Sequence, residues 1–577
     1  MKHDRWWGLV FIVPVLALVG VFVYSPLVDA VLHSFTRWDG INPATAAGLE
    51  NYRTLATSSD FRRVLRNQVI LVCGVAVWVI VPLWLSMLLH EQRFAGPVRA
   101  VLLIPPLLPP VIVGSVFRMI LSDPGPVNAT LRAVGLDSLA LGWLTEQNLV
   151  LFSIMFIIAW ATMGTGVLFY TAALSSLNPA LAEAARMDGA AWRQLAWHVY
   201  RPHLRPVTRF WMLLITVATV TAFFPWIYPL THGGPGIAST TLDFNIWATG
   251  IRDGQFGRHR RSRWCRWCSS RCCSAASYWF VISGSGAMPR TDRIRSAVDR
   301  VASGMRAAAM VGAALVVVLP LLYVLRIAVA EVPGGFFEQQ TTLPRTLGPE
   351  AGFTLENFRN VWTLGGMREA FGTSLATVPL GAAIATTVAS LAGFAFAKLA
   401  VPAGNLWFGL LAVTLGVPIP AIAIPLLTQG LSLGYADSRI GLAIAYGALF
   451  SVFGTIFMRY YYKSFPDSLL EAARIDGAGT IRIFVRIVFP LSAPAIATLF
   501  VITTLVLWGE LLLALVLLPR GTDNTVSVAV ARFTSEYGTG GPALAAAAVL
   551  AAVPIMLVIS VAQHWLRTGL STGSVKE

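Results

Sequence analysis

Apolar stretches of about 20 residues recur along the whole chain and limit what it can fold into. After a first apolar run near the N-terminus, they lie at 68–90, 100–121, 149–174, 209–230, 307–329, 371–397, 405–428, 438–460, 491–518 and 543–565. Each is long enough to cross a hydrocarbon core of about 30 Å as a helix. Inside lipid, a helix satisfies every backbone polar group within its own segment. The sequence therefore predicts an all-α, polytopic membrane protein.

Composition supports this class. Only 12% of the 577 residues are charged, whereas a soluble protein carries about 25%. The net charge of +15 comes almost entirely from arginine, which together with abundant alanine indicates a GC-rich genome. In a membrane protein, basic residues collect in cytoplasmic loops and face anionic lipid. We therefore expect contact with membrane lipid and no nucleic-acid partner.

A repeat in two polar loops is the strongest internal signal. "EAARMDGAAWRQLAWHVYRPHLRP" (183–206) recurs as "EAARIDGAGTIRIFVRIVFPLSAP" (471–494), 288 residues later. The Glu, the two Ala, the Arg, the Asp-Gly-Ala and both Pro keep identical spacing, which predicts a tandem duplication of one membrane module. We assign 1–257 to a first module, 258–287 to a junction and 288–577 to a second module.

Charge orients the predicted spans. The repeated loops, 178–206 and 466–494, are rich in arginine, whereas the connections at 122–147 and 231–257 hold one arginine each. Cytoplasmic loops are enriched in basic residues, so we place both repeated loops in the cytoplasm. The loop 31–66 contains five arginines and opposes this trend.

Local signals predict a helix, a turn and a second short helix in each repeated loop. Pro179 and Pro466 open the first helix, because proline is tolerated where its missing N–H would have no helical partner. Asp-Gly supplies the turn, and we expect Pro202 and Pro490 to end the second helix before the next span. A surface connector with an amphipathic face is the alternative for a single copy; duplication at fixed spacing favours a docking element.

The repeated pattern "EAA…DGA…P" resembles the EAA motif of permease subunits in binding-protein-dependent ABC importers. Its longer form is similar to that of carbohydrate-uptake permeases of the maltose and glycerol-phosphate type. "SFTRWDG…GLENYR" (34–53) and "THGGPGIASTTLDFNIW" (231–247) resemble the first permease of such a pair, and "FTLENFRNVW" (353–362) and "LRTGLSTGSVKE" (566–577) resemble the second. The resemblance covers nearly all of the chain except 258–287. It implies two tandem permease modules of about six transmembrane helices each.

The resemblance also implies a role for the two loops as coupling helices that dock on an ABC ATPase dimer. The matching positions are Glu183, Ala184, Ala185, Asp188, Gly189, Ala190, Pro202, Glu471, Ala472, Ala473, Asp476, Gly477, Ala478 and Pro490. Arg201 stands where the family usually has an apolar residue, and this departure is expected to weaken the first coupling helix. The implied partners are the ATPase and an extracytoplasmic solute-binding protein. The implied cargo is a sugar, a polyol or a phosphorylated glycerol.

The chain has no recognisable nucleotide-binding motif. There is no G-x-x-x-x-G-K-[ST], the one Lys-Ser pair (Lys463-Ser464) follows tyrosines, and "GGPG" at 233–236 has no lysine. We therefore expect no enzymatic activity, no metal site and no cofactor in this chain, with ATP and Mg²⁺ held by a separate ATPase. Closure of that ATPase is expected to move both loops and switch the helices between inward-facing and outward-facing states.

Polar and aromatic residues inside the predicted spans are candidates for the substrate path. Gln68, Gln429 and Glu510 are intramembrane polar groups, and Trp160 and Trp508 offer rings for a sugar to stack on. The alternative for the polar groups is a hydrogen bond between packed helices, and for the tryptophans an anchor at the membrane interface. No motif marks the sugar pocket.

The stretch "RHRRSRWCRWCSSRCC" (258–273) interrupts the pattern with six arginines and four of the five cysteines. A metal site would need better-spaced ligands, and a basic patch for nucleic acid or lipid is a further alternative.

Topology calls for a sixth span in this stretch, and plausible GC-rich codons read in another frame encode Val-Val-Pro-Val-Val-Leu-Val-Ala-Leu-Leu. We favour a frameshift, genuine or a sequencing error, that fused two permease genes; a natural fusion with a weak sixth span is the alternative.

The predicted function is a permease component of a carbohydrate ABC importer in the cytoplasmic membrane. The alternatives are a fusion impaired by the frameshift, a secondary transporter, and a membrane-embedded enzyme. A secondary transporter does not need duplicated coupling loops. A membrane enzyme needs acidic clusters on its loops, and none is repeated or paired in this sequence.

Overall fold

The computed structural model describes residues 2–38, 43–90, 92, 95–252, 292–332, 352–521, 523–535 and 541–571. These residues are almost entirely helical, and their only strands are a short antiparallel pair, Thr36–Arg37 and Thr45–Ala46. The predicted all-α class is confirmed. The junction 258–287 lies outside the described residues.

The first module runs from the N-terminus through fourteen described α-helices. They are α1 (Lys2–Val19), α2 (Ser25–Ser34), α3 (Glu50–Thr57), α4 (Ser59–Leu89), α5 (Ala95–Leu102), α6 (Ile104–Leu107), α7 (Pro110–Ile120), α8 (Pro126–Ala133), α9 (Val150–Ser175), α10 (Pro179–Met187), α11 (Trp192–Leu195), α12 (Arg201–Thr221), α13 (Phe224–Leu230) and α14 (Leu242–Trp247). Shorter turns are π-helical at Gly20–Tyr24, Ala196–Tyr200 and Ala248–Arg252, and 3₁₀-helical at Asp137–Leu139.

The second module repeats this order. Its described helices are α15 (Asp292–Ala328), α16 (Glu356–Thr363), α17 (Met367–Lys398), α18 (Gly404–Thr414), α19 (Ile419–Leu433), α20 (Arg439–Lys463), α21 (Asp467–Ile475), α22 (Thr480–Ile483), α23 (Phe489–Leu491), α24 (Ala493–Trp508), α25 (Leu512–Leu517), α26 (Val526–Ser535) and α27 (Pro542–Ser571). A π-helical turn lies at Phe484–Val488.

Eleven segments of the described chain are long and apolar enough to cross a membrane, if each bent helix pair is counted as one span. Five fall in the first module and six in the second, as the hydropathy predicts. The structure has the predicted spans at 100–121, 209–230, 405–428 and 491–518, and each of them is a bent pair of helices.

Prolines explain the sharpest bends. The α5–α6 and α7 segments meet at 99°, and α18 and α19 meet at 97°. Pro109 and Pro110 stand at the first break, and Pro418 and Pro420 stand at the second. Proline removes a backbone donor and clashes with the preceding helical turn. The matching angles extend the duplication from the loops to the spans.

The two modules interlock through their first spans. α1 packs on α17 and α20 of the second module. Phe11 of α1 contacts Phe394 of α17 and Phe484 of the π-helical turn, at ring-centroid distances of 6.0 and 5.3 Å. In the reverse direction, α15 packs on α4, α5 and α7 of the first module. Each module thus covers an apolar face of the other.

A repeated asparagine holds the end of each first span. In "LENYR", Asn51 on α3 donates its amide to the carbonyls of Ser34 and Thr36, at 2.9 and 2.8 Å. In "LENFR", Asn357 on α16 donates to Ala328 and Ala330, at 3.0 and 2.8 Å. The last carbonyls of a helix have no partner inside the helix, so this asparagine satisfies the same groups in both modules.

Candidate functional site: the two coupling loops

We call the two repeated loops, 178–206 and 466–494, the candidate coupling loops. Each begins with a nine-residue helix, α10 in the first module and α21 in the second. α10 starts at Pro179 as predicted, and the side chain of Asn178 accepts a hydrogen bond from the N–H of Ala180 at 3.0 Å. α21 starts one residue later than predicted, because Pro466 has an extended backbone and precedes the helix. The first helical residue there is Asp467.

The Asp-Gly-Ala segment closes both helices with the same backbone geometry. In the first loop Asp188, Gly189 and Ala190 donate to the carbonyls of Ala184, Arg186 and Ala185, at 3.0, 2.9 and 2.9 Å. In the second loop the equivalent residues 476, 477 and 478 donate to 472, 474 and 473, each at 3.0 Å.

The glycine of each turn adopts a left-handed conformation, with φ of 79° at Gly189 and 77° at Gly477. Glycine reaches this region without steric cost, and it is the usual residue just after a helix for that reason. The fixed spacing of the repeat therefore encodes one specific helix end, and the predicted turn is confirmed in both copies.

The helices bury one side and expose the other. In α10, Ala182 is buried and Ala185 is half-buried, while Glu183, Ala184 and Met187 are exposed. In α21, Leu470 and Ala473 are buried, while Glu471, Ala472 and Ile475 are exposed. Glu183 and Met187 are four residues apart and share a helix face. The first two letters of "EAA" thus face outward and the third faces the protein.

Met187 and Ile475 are the candidate docking residues that the sequence comparison missed. Met187 is 88% exposed and Ile475 is 86% exposed, and they are 288 residues apart, the offset of the repeat. Matching only identical letters passed over them. Their shared apolar character at equivalent positions was a signal that could have identified them.

The predicted proline stops are wrong. Pro202 is the second residue of α12, and Pro490 is the second residue of α23, so neither ends a helix. A π-helical turn precedes each of them, in which Arg201 donates to the carbonyl of Ala196 and Phe489 donates to that of Phe484. These bonds span five residues instead of four. The wider turn accommodates a proline inside a continuous helix.

Arg201 packs on the π-helical turn of the first module. Its guanidinium lies 4.0 Å from the ring centroid of Trp197, in a cation–π contact. The helix runs unbroken from Trp192 to Thr221 through this point. The weakening of the first coupling helix by Arg201 stays a prediction.

A lysine ties the second coupling loop to a membrane span. Lys398, the last residue of α17, donates to the carbonyl of Phe465 at 2.7 Å and to Oδ1 of Asp467 at 2.6 Å. Its side chain is only 7% exposed. The first module has Pro179 in place of Asp467, and the last turn of α4 has no basic residue. Lys398 is one of four lysines in the chain, but nothing in its local sequence indicates this contact.

Of the predicted path residues, two lie in the first module. Gln68 is buried, donates to the carbonyl of Thr219 at 2.8 Å and accepts from the N–H of Leu242 at 3.4 Å. Trp160 donates to the carbonyl of Val316 on α15 at 2.9 Å. Both side chains join packed helices, and Trp160 joins the two modules. Their role in a substrate path stays a prediction.

The other three lie in the second module. Gln429 contacts Ser25 of the first module at 3.2 Å and accepts from Tyr435 at 2.9 Å. Trp508 donates to the carbonyl of Ala551 at 3.0 Å. Glu510 accepts from the hydroxyl of Tyr446 at 3.0 Å and from two backbone N–H groups at the start of α25. The structure does not bring these five residues together in one described cavity, and their path role is likewise untested.

The chain matches one protein family twice. The description "Binding-protein-dependent transport system inner membrane component" fits residues 61–249 and again 374–572. Each matched segment contains one coupling loop and ends in the last described helices of its module.

Individual relatives match one segment of the chain. The osmoprotective compounds uptake permease protein GgtD of Synechocystis sp. is 34% identical over 39% of this chain and 76% of its own length. The multiple sugar-binding transport system permease protein MsmF of Streptococcus mutans is 26% identical over 44% of this chain and 88% of its own. The sn-glycerol-3-phosphate transport system permease protein UgpE of Yersinia pestis is 35% identical over 32% and 66%.

A crystal structure of a bacterial ABC transporter that imports the acidic polysaccharide alginate is also similar, with a TM-score of 0.39 and 23% identity over 44% of this chain and 87% of that one. The double family match and the duplicated spans agree on one conclusion. The chain belongs to the inner membrane components of binding-protein-dependent transport systems and contains two such permease modules in tandem.

Proposed function

We propose that this chain supplies both transmembrane halves of an ABC importer and that an ATPase dimer docks on the loops 178–206 and 466–494. The observation that carries the proposal is the matching outward face of α10 and α21. Each presents an acidic residue, an alanine and an almost fully exposed apolar side chain (Met187 or Ile475) at the same three positions. Two equivalent faces fit two equivalent subunits of a dimer.

The character of these faces favours a protein partner over lipid. Several large apolar side chains exposed on one short helix are typical of a contact surface, and both helices have a pair: Leu181 with Met187, and Leu469 with Ile475. Glu183 and Glu471 lie beside Met187 and Ile475, and carboxylates are repelled by the anionic inner leaflet. A cleft that buries the apolar side chain and leaves the carboxylate at its rim satisfies both groups.

The loops are also placed to transmit motion. α11, the π-helical turn and α12 form one continuous helix from Trp192 to Thr221, so a displacement of the first loop moves a membrane span directly. Closure of the ATPase dimer on ATP would thus bias the spans between inward-facing and outward-facing arrangements. ATP and Mg²⁺ belong to that partner in this proposal.

The cargo is proposed to be a sugar, a polyol or a phosphorylated glycerol. The names of the relatives support this class, since they include a multiple sugar system, a glycerol-phosphate system and an uptake system for osmoprotective compounds. The family description supports delivery by an extracytoplasmic binding protein.

The docking face is tested by the double variant M187E/I475E in the full chain, expressed with its ATPase. Burying one such apolar side chain stabilises a contact by about 1.5–3 kcal/mol, and a buried glutamate adds a desolvation penalty. Co-purification of the ATPase should fall roughly ten-fold or more. The control is L136E/L364E, which changes two exposed leucines on loops of the opposite membrane side.

An equal loss of ATPase in the control would assign the effect to general destabilisation of the chain. Full retention of ATPase by M187E/I475E would contradict the proposed docking face.

A further inference from the structure

Three arginines form a stripe on α12, two at the end of the first coupling loop and one just beyond it. We propose that Arg201, Arg205 and Arg209 bind the phosphate of an anionic phospholipid in the inner leaflet, beside the stacked rings of Trp84 and Trp197. The inference rests on the proposed function in one respect, which is that the coupling loops face the cytoplasm.

Helix geometry brings the three side chains to one surface. They follow each other at intervals of four residues, so they share a face and rise about 6 Å per step. Arg205 and Arg209 are exposed and Arg201 is half-exposed. The surface continues one turn earlier along the helix at Trp197, which is stacked with Trp84 at a centroid distance of 6.4 Å and is 49% exposed.

Two of the three arginines, Arg205 and Arg209, add exposed positive charge to the stripe. Neither Arg205 nor Arg209 forms an ion pair or a hydrogen bond with another described residue. Like charges four residues apart on a helix repel each other. A phosphate between them would remove this repulsion and accept several N–H groups of the guanidinium forks.

The second module shows that the helix does not require these arginines. The equivalent positions are Phe489, Ala493 and Ala497, and they line an apolar groove of about 630 Å³ between α17, α24 and α27. One module has therefore placed charge where the other has apolar surface. The arginines are a property of the first module alone and not of the shared fold.

The surface beyond the stripe selects a lipid over a free anion. Four residues after Arg209, the same face of α12 carries Leu213, which is 65% exposed. The order along the helix is thus charge at the membrane surface and an apolar side chain deeper in. A phospholipid has the same order, with a phosphate followed by acyl chains.

The test is a titration of the purified full chain with phosphatidylglycerol or phosphatidylcholine, with bound lipid counted by native mass spectrometry. A basic residue near the surface contributes about five-fold in binding to anionic lipid. R205Q/R209Q should therefore weaken phosphatidylglycerol binding by roughly ten-fold or more. The control R62Q/R66Q removes another exposed arginine pair at the same spacing, at the far end of α4, and should bind phosphatidylglycerol like the wild type.

Two further arms decide the source of the phosphate and the specificity of the site. Inorganic phosphate at millimolar concentration should not displace phosphatidylglycerol; displacement would assign the site to a free anion and overturn the proposal. Equal binding of both lipids by the wild type, or an equal loss in both arginine pairs, would overturn it as well. Co-purification of the ATPase is scored in the same samples, so a failure of the proposed function appears there and not in the lipid titration.

Discussion

The two coupling loops have the same backbone and different attachments. The helix ends at Gly189 and Gly477 agree within 0.1 Å in all three hydrogen bonds, and both loops lead into a π-helical turn. The second loop, however, is tied to α17 by Lys398, and its helix bends by 73° before α24. The first loop lacks that tie and continues straight into α12.

This difference shows which parts of a duplicated module are under a common constraint. The turn and the outward face are the same because both copies meet equivalent partners in the proposed complex. The connections to the membrane spans differ between the copies, so a common constraint does not extend to them. In the first module the loop joins the next span through one continuous helix. In the second module the connecting helix is bent, and a charged contact holds the loop to α17.

The largest effect is expected from replacing the two glycines. Valine at Gly189 or Gly477 must adopt φ near +78°, where a side chain costs about 1–2 kcal/mol and a β-branched one more. We expect the double variant G189V/G477V to lose the ATPase almost completely, by more than ten-fold in co-purification. Each single variant should lose it to a similar degree.

Alanine at the same two positions is the control, because it strains the backbone less and should bind at an intermediate level. Full binding by G189V/G477V would contradict the docking role of both loops. Loss in only one single variant would show that the two loops do not contribute equally.

The next test addresses the attachment that only the second loop has. K398M keeps the aliphatic stem and removes the ammonium group from Phe465 and Asp467. A partly exposed charged contact of this kind contributes roughly 1 kcal/mol, which corresponds to about a five-fold change. We expect ATPase co-purification within two-fold of the wild type and a roughly three- to five-fold lower rate of ATP hydrolysis by the complex.

K398R should restore most of that rate, because arginine also donates to a carboxylate. D467A should resemble K398M, and the double variant K398M/D467A should be no worse than either single variant. An unchanged hydrolysis rate in K398M would show that the tie is a surface contact with no part in coupling.

The sequence predicted the parts of the molecule that depend on local pattern. Hydropathy located all eleven spans of the described chain, because the length of an apolar run is a local property. The Asp-Gly turns were found from a repeat of identical letters. Family membership followed from the same motifs and is confirmed by the double match.

Features that depend on distant contacts were not predicted. Lys398 meets a residue 69 positions away, and Trp160 donates to a carbonyl 156 positions away. No local rule pairs them. The proline stops were predicted wrongly for a different reason: the rule that proline ends a helix assumes four-residue hydrogen bonding, and the π-helical turns before Pro202 and Pro490 break that assumption.

The smallest expected difference concerns the asparagines that hold the first spans. Asn357 is fully buried, whereas Asn51 is half-buried. In N357A the carbonyls of Ala328 and Ala330 lose their donor away from water, at a cost of about 1–3 kcal/mol. In N51A water can replace the amide, so the cost should be about 0.5–1.5 kcal/mol. Thermal unfolding of the full chain should therefore show a larger drop in the midpoint temperature for N357A than for N51A. Equal drops would show that the two asparagines contribute equally to stability despite their different burial.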